Sequence, residues 1–249
     1  MIVLKTSREL GIMKEACSIA AGALQTVGNA VEPGITTGEL DALAEAYIRS
    51  RGGEPNFKNY NGFPATACIS INNEVIHGIP SKSRKICEGD IVSVDLGAKY
   101  GGYHGDNAAT FACGVVSPEA ERLMSVTKDA LYEGIKAARA GSRIGDIGSA
   151  VQRIVEAAGF SVVRQYVGHG IGTQLHEAPE VPNFGIAGRG IRLLPGMTLA
   201  IEPMVNAGGY DVKVLPDGWT VKTKDGSLSA HFEHTVVITA DGPKIMTIV

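Results

Sequence analysis

Broad charge of one sign is absent from this chain of 249 residues. Its 23 lysines and arginines stand against 26 aspartates and glutamates, which gives a formal net charge of −3. No basic field is present to hold a polyanion, so we do not expect nucleic acid as the primary ligand. Hydrophobic residues make up 44% of the chain, which suffices for a substantial core in one large domain or two fused halves.

Long apolar runs are also absent. The opening MIVL is followed at once by Lys5 and Thr6, which leaves too short an apolar stretch for a signal peptide. No run approaches the length that spans a bilayer. We therefore expect a cytoplasmic protein with no membrane partner.

Cysteine is scarce, and the four residues show neither CxxC nor zinc-ribbon spacing. Reduced thiols are therefore expected rather than disulfides or a structural zinc. No motif of a thiol enzyme surrounds any of these cysteines, so the sequence does not indicate a nucleophilic cysteine.

Two aspartates flank a glycine-rich turn in the stretch DLGAKYGGYHGD, which runs from Asp95 to Asp106. The segments IVSVDL and GYHGDNAATF predict the two strands of a β-hairpin. With the turn centred on Tyr100 and Gly101, the aspartates would lie directly opposite each other, with Cβ atoms about 5 Å apart. Such a pair indicates either a cation between the carboxylates or a shifted register that separates them. Glycine-rich turns also commonly carry solvated aspartates, so the hairpin alone leaves metal binding open.

Four helices are predicted, two in each part of the chain. Capping boxes open the first two, which end before EPG and at RGG. The third opens at Ser117 and Pro118, and the fourth lies within residues 141–159. The capping pairs are Thr6 with Glu9 and Thr36 with Glu39.

A weak internal repeat relates the two parts of the chain. Residues 34–52 overlie residues 141–159, and at the same shift GDIVSVD overlies GMTLAIE, which sets Asp95 on Glu202. Further along, HGD resembles HFE, so that each part offers two acids in a strand context. Chance matches are common in helices rich in glycine and alanine, so the recurrence of the acids is the stronger signal.

Helices followed by strands, twice over, predict an α+β protein in which two sheets meet and helices cover the outside. We expect a single domain over residues 1–249. Its two halves would span about 1–113 and 114–249.

Four acids would converge at the centre of this arrangement: Asp95, Asp106, Glu202 and Glu233. Each buried, unpaired carboxylate costs several kcal/mol, so two divalent cations would be needed to neutralise the set. His169 in YVGHGIG is a fifth candidate ligand, although a hydrogen-bonded structural histidine is the alternative. A carboxylate-rich set favours manganese, iron or cobalt over the cysteine-dominated ligation of structural zinc.

Seven motifs follow one another along the chain, in the order CISINNEVIHGIP, GDIVSVDLG, HGD, GFSVVRQYVGHGIG, HEAP, PGMTLAIEPMVNAG and DGWTVKTKDGSLSAHFEHT. Together they resemble the bacterial type I methionine aminopeptidases. The resemblance implies the pita-bread fold, an α+β architecture of two pseudo-symmetric α/β halves with a central antiparallel sheet and helices outside. It also implies a monomer without the zinc-finger extension that some relatives carry.

The resemblance implies a metal centre with two divalent ions per chain, which would be cobalt, manganese, iron or zinc. Asp106 and Glu233 would bridge the two ions. The implied ligands are Asp95, Asp106, His169, Glu202 and Glu233.

The resemblance further implies three catalytic residues. His176 would stabilise the developing oxyanion, His77 would contact the peptide backbone, and Glu202 would carry a proton to the leaving amine. From the residues alone, a histidine in the position of His77 is more often a turn residue, and His176 is interpreted equally well as part of a surface turn.

A pocket for a methionine side chain is also implied. Aromatic side chains and a cysteine suit an unbranched thioether, although ordinary core packing is the alternative. The sequence departs from the family pattern at Phe57, Phe63, Leu175 and His231, which leaves the shape of the pocket open. The implied lining is Phe57, Tyr60, Phe63, Cys68, His77, Leu175, His176 and Trp219.

The function implied by the resemblance is removal of the initiator methionine from nascent proteins, with a small second residue preferred. Nascent N-termini would be the partners, and contact with the ribosome is left open because no segment marks a ribosome-binding surface. An Xaa-Pro aminopeptidase and a non-catalytic binding protein of the same fold are the alternatives. The complete ligand set speaks against the second, and the early first helix speaks against the extra N-terminal domain typical of the first.

Overall fold

The computed structural model describes residues 2–249, so Met1, where the first predicted half begins, lies outside the described residues. The helices of this range are α1 (Ser7–Asn29), α2 (Thr37–Ser50), α3 (Pro118–Ala137) and α4 (Ile144–Ala157). The strands are β1 (Glu54–Pro55), β2 (Ala67–Ile71), β3 (Glu74–Ile76), β4 (Ile91–Tyr100), β5 (Tyr103–Ala112), β6 (Ser161–Val162), β7 (Gly168–Gly170), β8 (Glu177–Val181), β9 (Thr198–Ile201), β10 (Met204–Asn206), β11 (Val212–Val214), β12 (Val221–Thr223), β13 (Ser229–His231), β14 (Glu233–Thr239) and β15 (Gly242–Ile245). A single 3₁₀ turn among these residues spans Tyr60–Gly62.

The helices begin where their capping residues predict. The Thr6 N–H donates to the Glu9 carboxylate at 2.7 Å, and Thr6 Oγ1 accepts from the Glu9 N–H. The same reciprocal pair joins Thr36 and Glu39 ahead of α2. Ser117 caps α3, whose first residue is proline. No helix among residues 2–249 combines the length and apolar character that crossing a membrane requires.

A nine-stranded antiparallel sheet forms the centre of the fold. Its order is β1-β4-β5-β14-β9-β7-β8, with β2 also paired to β4 and β15 also paired to β14. Two three-stranded sheets, β13-β10-β6 and β11-β12-β3, complete the strand pairing of the described chain. The predicted α+β fold with a central antiparallel sheet is confirmed.

Two large hydrophobic clusters hold the helices on the sheet. In the first, α1 and α2 pack against β2 and β4. Leu40 of α2 and Val94 of β4 are both fully buried in this cluster. In the second, α3 and α4 pack against β9 and β14, with Val151 and Leu199 fully buried. Each cluster therefore fixes the strands that it covers, β2 and β4 under α1 and α2, and β9 and β14 under α3 and α4.

The hairpin of β4 and β5 has a different register from the predicted one. Its two-residue loop is Gly101 and Gly102, both with positive φ (57° and 84°), so that Tyr100 pairs with Tyr103 and the prediction of a turn at Tyr100 and Gly101 is wrong. Glycine reaches positive φ without a steric penalty, and this favours the Gly-Gly pair as the loop.

The register also changes how the two aspartates meet. Asp95 lies opposite Ala108, and Asp106 lies opposite Gly97, so the predicted direct opposition of the aspartates is wrong. Because successive side chains alternate between faces, Asp95 and Asp106 still share one face as a diagonal pair. The observed register therefore separates the two carboxylates but keeps both on the same face of the hairpin.

Gly105 allows α1 to pack closely on β5. A Cβ atom at Gly105 would lie 2.6 Å from the backbone N and Cα of Cys17. We expect Gly105→Ala to lower the free energy of unfolding by about 1–3 kcal/mol, because helix backbone cannot yield as a flexible side chain would. Urea unfolding measures the change.

Gly11 provides the matched control. It is an exposed position in α1 where an added Cβ would meet nothing within 4 Å. Gly11→Ala should raise the free energy of unfolding by about 0.5–1 kcal/mol, since alanine loses less backbone entropy in a helix. Equal unfolding midpoints for the two variants would contradict the proposed close contact.

Candidate metal centre and substrate pocket

A pocket of about 210 Å³ opens over one face of the central sheet. All the residues that the sequence predicted for the metal centre and the substrate pocket line it. The lining consists of Phe57, Tyr60, Asn61, Phe63, Cys68, His77, Asp95, Asp106, His169, Leu175, His176, Glu202, Trp219 and Glu233. The structure thus brings residues from the whole length of the chain into one cavity.

Neighbouring strands of the central sheet deliver the candidate ligands. Asp95 lies on β4, Asp106 on β5, Glu233 at the start of β14, His169 on β7 and Glu202 directly after β9. Donor atoms of the set Asp106, His169 and Glu233 lie within 4.8 Å of one another. Because these strands are hydrogen-bonded neighbours, the backbone holds the donors close together before any ligand binds.

Three carboxylate oxygens in this cluster lack a hydrogen-bond partner. They are Asp95 Oδ1, Asp106 Oδ1 and Glu233 Oε1, and none receives a donor from residues 2–249. Asp106 is 3% exposed and Glu233 is 2% exposed. Buried anionic oxygens without donors are costly unless they coordinate a metal ion, so the donor set fits a divalent cation.

The pKa values of the four acids also show that their negative charges are unfavourable in this buried position. Burial, added to repulsion from neighbouring acids, raises the pKa of Asp106 and Glu233 well above the usual range. Burial raises the pKa of Asp95 to about 7 and that of Glu202 to about 8. The four groups therefore favour a shared positive charge, which a hard or borderline divalent ion supplies.

His169 presents a free nitrogen to the cluster. Its Nδ1 lies 2.9 Å from the Gly170 carbonyl oxygen and must donate to it, which assigns the ring proton to Nδ1 and leaves the lone pair on Nε2. That Nε2 lies 3.6 Å from Glu202 Oε1. Burial lowers the pKa of His169 to about 3, so the ring is neutral and able to act as a ligand.

One wall of the pocket is aromatic and apolar. The rings of Phe63 and Trp219 meet edge to face with centroids 5.1 Å apart, and the His77 ring lies 6.2 Å from Trp219 in the same manner. Cys68 is buried beside Phe63. Burial also raises the pKa of the Cys68 thiol well above its usual value, which excludes a thiolate nucleophile there.

His77 and His176 approach the pocket in different ways. His77 has a φ of 59°, a left-handed conformation that costs energy in a residue other than glycine and that clusters at functional sites. His176 lies exposed at the rim, with Nδ1 2.8 Å from the Tyr60 hydroxyl and its ring centroid 4.3 Å from that of His169. Neither histidine is an isolated turn residue.

The loop that carries His176 is tied to the start of the chain. Lys5 Nζ donates to the Glu177 carboxylate at 2.5 Å, and both side chains are largely buried. The Lys5 N–H also donates to the Gly196 carbonyl, and Glu177 accepts from the Gln174 N–H. The segment before α1 therefore helps to fix the position of this rim.

Asn61 lines the pocket although the sequence analysis did not single it out. It lies in the 3₁₀ turn with a φ of 50°. The YNGF stretch carries ordinary turn chemistry, and no local signal shows that the turn faces a cavity. Asparagine tolerates positive φ better than most residues, which accounts for the residue type at this position.

Comparison with known proteins identifies the class. Residues 11–240 match metallopeptidase family M24. The chain therefore belongs to this family, whose members are peptide hydrolases that use divalent metal ions. Among curated relatives, the methionine aminopeptidase of Clostridium perfringens is 52% identical, with all of both chains covered. Methionine aminopeptidase 1 of Bacillus subtilis is 51% identical, with 99% of each chain covered.

Solved structures agree with this assignment. Methionine aminopeptidase from Thermotoga maritima superposes with a TM-score of 0.99 at 45% identity, covering all of both chains. Prolidase from Pyrococcus furiosus gives a TM-score of 0.80 at 25% identity, and this chain spans 66% of it. The pita-bread fold predicted from the sequence motifs is confirmed.

Addition of a divalent metal to chelator-treated protein should raise its Tm, because a cation offsets the repulsion among the buried carboxylates. Metal at 100 times its Kd stabilises by about 2.7 kcal/mol, which corresponds to a rise of about 5–10 °C for a chain of this size. Scanning fluorimetry with Mn²⁺ measures the shift. Asp106→Asn should lose most of it.

The control for this experiment is Asp41→Asn. Asp41 lies outside the pocket, where its Oδ1 accepts from the Thr66 and Ala67 N–H groups at 2.9 and 2.8 Å. An asparagine oxygen can keep both bonds, so this variant should retain the full metal-induced shift. The same shift in both variants would exclude Asp106 as a ligand.

Proposed function

We propose that this chain removes the initiator methionine from nascent proteins by hydrolysing their first peptide bond, with a small residue preferred after the methionine. The observation that carries the proposal is one cavity that combines a carboxylate and imidazole cluster with an aromatic wall. Relatives about 50% identical over the full chain are methionine aminopeptidases, which supports the same substrate here.

We propose two divalent ions in this site, which would be cobalt, manganese, iron or zinc. Asp95, Asp106, His169, Glu202 and Glu233 would hold them, with Asp106 and Glu233 as the bridging pair. One oxygen of each residue, Asp106 Oδ1 and Glu233 Oε1, supports this assignment, because it is buried and has no hydrogen-bond donor among residues 2–249. Bound ions would supply Lewis acidity that polarises the scissile carbonyl and activates water.

The apolar wall would bind the methionine side chain. Aromatic edges and faces attract a polarisable thioether, and Phe63, Trp219 and Cys68 offer such contacts around an unbranched chain. Phe57, Tyr60 and Leu175 would complete the lining of the pocket. His77 would contact the backbone of the peptide.

Two polar side chains would act on the reacting groups. Glu202 would accept a proton from the attacking water and deliver it to the leaving amine, because its carboxylate lies at the edge of the cavity where both groups would meet. The Tyr60 hydroxyl can donate to His176 Nδ1, which keeps the ring proton on Nε2. That Nε2–H would donate to the oxyanion as it forms.

A single catalytic domain completes the proposal. Both predicted halves supply candidate ligands, Asp95 and Asp106 from the first and Glu233 from the second, which supports one functional unit rather than two. Because nascent chains are the proposed substrate, we expect a cytoplasmic enzyme. A monomer that meets chains as they leave the ribosome stays our prediction.

Hydrolysis of short peptides tests the proposal. After chelation and addition of single metals, we expect cleavage of Met-Ala-Ser and no comparable cleavage of Ala-Pro-Ala. A small second residue should be needed because the cluster encloses the scissile bond, so kcat/KM for Met-Lys-Ser should fall well below that for Met-Ala-Ser. Preference for Ala-Pro-Ala would identify an Xaa-Pro aminopeptidase instead, and no hydrolysis with any metal would identify a binding protein.

His176→Ala tests the oxyanion role separately. A donor aimed at charge that grows only in the transition state contributes little to ground-state binding, so its loss should lower kcat by about 10²- to 10³-fold with little change in KM. Tyr60→Phe is the matched control, and it should cause a smaller loss of kcat because the imidazole stays in place. Loss of metal from His176→Ala, or a raised KM with kcat unchanged, would refute the assignment.

A further inference from the structure

His231 lies behind the metal centre rather than in it. It does not line the pocket, and its side chain is 1% exposed at the end of β13. In the sequence, His231 is a departure from the family pattern. In the structure, its imidazole lies next to a carboxylate of the cluster, so the residue type at this position can affect how that carboxylate is held.

The backbone of His231 is fixed. Its N–H donates to Thr110 Oγ1, and its carbonyl accepts from the same hydroxyl, both at 2.9 Å. His231 also pairs with Met204 across two strands. The imidazole is therefore held at the buried end of its strand and cannot turn out to solvent.

The ring itself has no conventional partner. Neither Nδ1 nor Nε2 makes a hydrogen bond with any residue in the described range 2–249. A carboxylate oxygen, Glu202 Oε2, lies 3.5 Å from Nε2. The other oxygen of that carboxylate, Oε1, lies 3.6 Å from His169 Nε2. Glu202 thus lies between two imidazoles, with one oxygen directed at each.

The two imidazoles cannot play the same part. His169 Nδ1 donates to the Gly170 carbonyl, so the nitrogen that faces Glu202 Oε1 carries a lone pair. Two lone pairs that face each other at 3.6 Å repel, and a cation between them removes this repulsion. The other oxygen, Glu202 Oε2, lies 3.5 Å from His231 Nε2, where the carboxylate needs a hydrogen-bond donor.

We propose that His231 is a positioning residue whose Nε2–H donates to Glu202 Oε2 and so holds Oε1 toward the metal centre. The inference rests on the proposed function, because Glu202 must be a metal ligand for its orientation to matter. A glutamate rotates about three side-chain bonds, and a fixed donor behind it removes this freedom before metal binds. Loss of such an outer partner typically lowers metal affinity about 10- to 100-fold.

Two variants test the inference. His231→Leu removes the donor and keeps an apolar side chain, whereas His231→Gln keeps a side-chain N–H. Isothermal titration with Mn²⁺, and with Co²⁺ followed by visible absorption, should show affinity about 10- to 100-fold weaker for His231→Leu. His231→Gln should stay within about threefold of the unmodified protein, since its amide can donate to the same oxygen.

The Tm of the chelator-treated variants distinguishes positioning from simple packing. His231→Leu exchanges the proposed weak hydrogen bond to Glu202, 3.5 Å long, for apolar contacts of similar volume, so the Tm of the metal-free variant should change little. Unchanged Mn²⁺ affinity in His231→Leu would overturn the inference. So would a lowered metal-free Tm shared by both variants, which would mark a packing role.

The proposed function can fail independently of this inference. If the unmodified protein binds neither Mn²⁺ nor Co²⁺, the metal centre is wrong, and His231 has no carboxylate ligand to position. If the unmodified protein binds metal and cleaves Met-Ala-Ser while His231→Leu behaves identically, only the role of His231 is wrong.

Discussion

Repulsion among four carboxylates at the centre of one sheet is the constraint on which the rest of this structure depends. Asp95, Asp106 and Glu233 lie on strands of the central sheet, and Glu202 lies directly after one. These strands pack on the two hydrophobic clusters, so the acids cannot move apart into water. Folding alone gives no reason for this arrangement, because each buried charge without a partner costs stability. A divalent cation bound among these carboxylates would offset this cost, which is consistent with a family of metallopeptidases.

Rigid and adaptable parts of the site come from different kinds of structure. Strands supply most of the candidate metal ligands, whereas loops supply much of the substrate wall, including Tyr60, Trp219 and His176. Loops tolerate sequence change better than strands, which explains why the departures at Phe57 and Leu175 fall there while the ligand set is complete. Ties such as the Lys5–Glu177 pair then limit how far a loop can move.

Sequence patterns predicted the features that depend on neighbouring residues. Capping boxes specified helix starts because a Thr and a Glu three residues later can satisfy each other locally. The hairpin register was mispredicted because the loop needs positive φ at both of its residues. The pair Gly101–Gly102 adopts positive φ without a steric penalty, whereas Tyr100 in the predicted pair Tyr100–Gly101 would not. Asn61 was missed for a different reason, since only tertiary structure shows which side of a turn faces the cavity.

His231 marks the limit of local reasoning most clearly. Two residues before Glu233 in the sequence, it gave no indication that its ring approaches Glu202. The two residues meet because His231 pairs with Met204, which lies two residues after Glu202. A buried imidazole without a partner is unfavourable for folding, so its presence indicates a use that the metal-free chain does not reveal. The buried ring lowers the stability of the metal-free fold but would help to bind the cation, and the same holds for the buried carboxylates. A centre of this kind is built from groups that become favourable together only when the cation is bound.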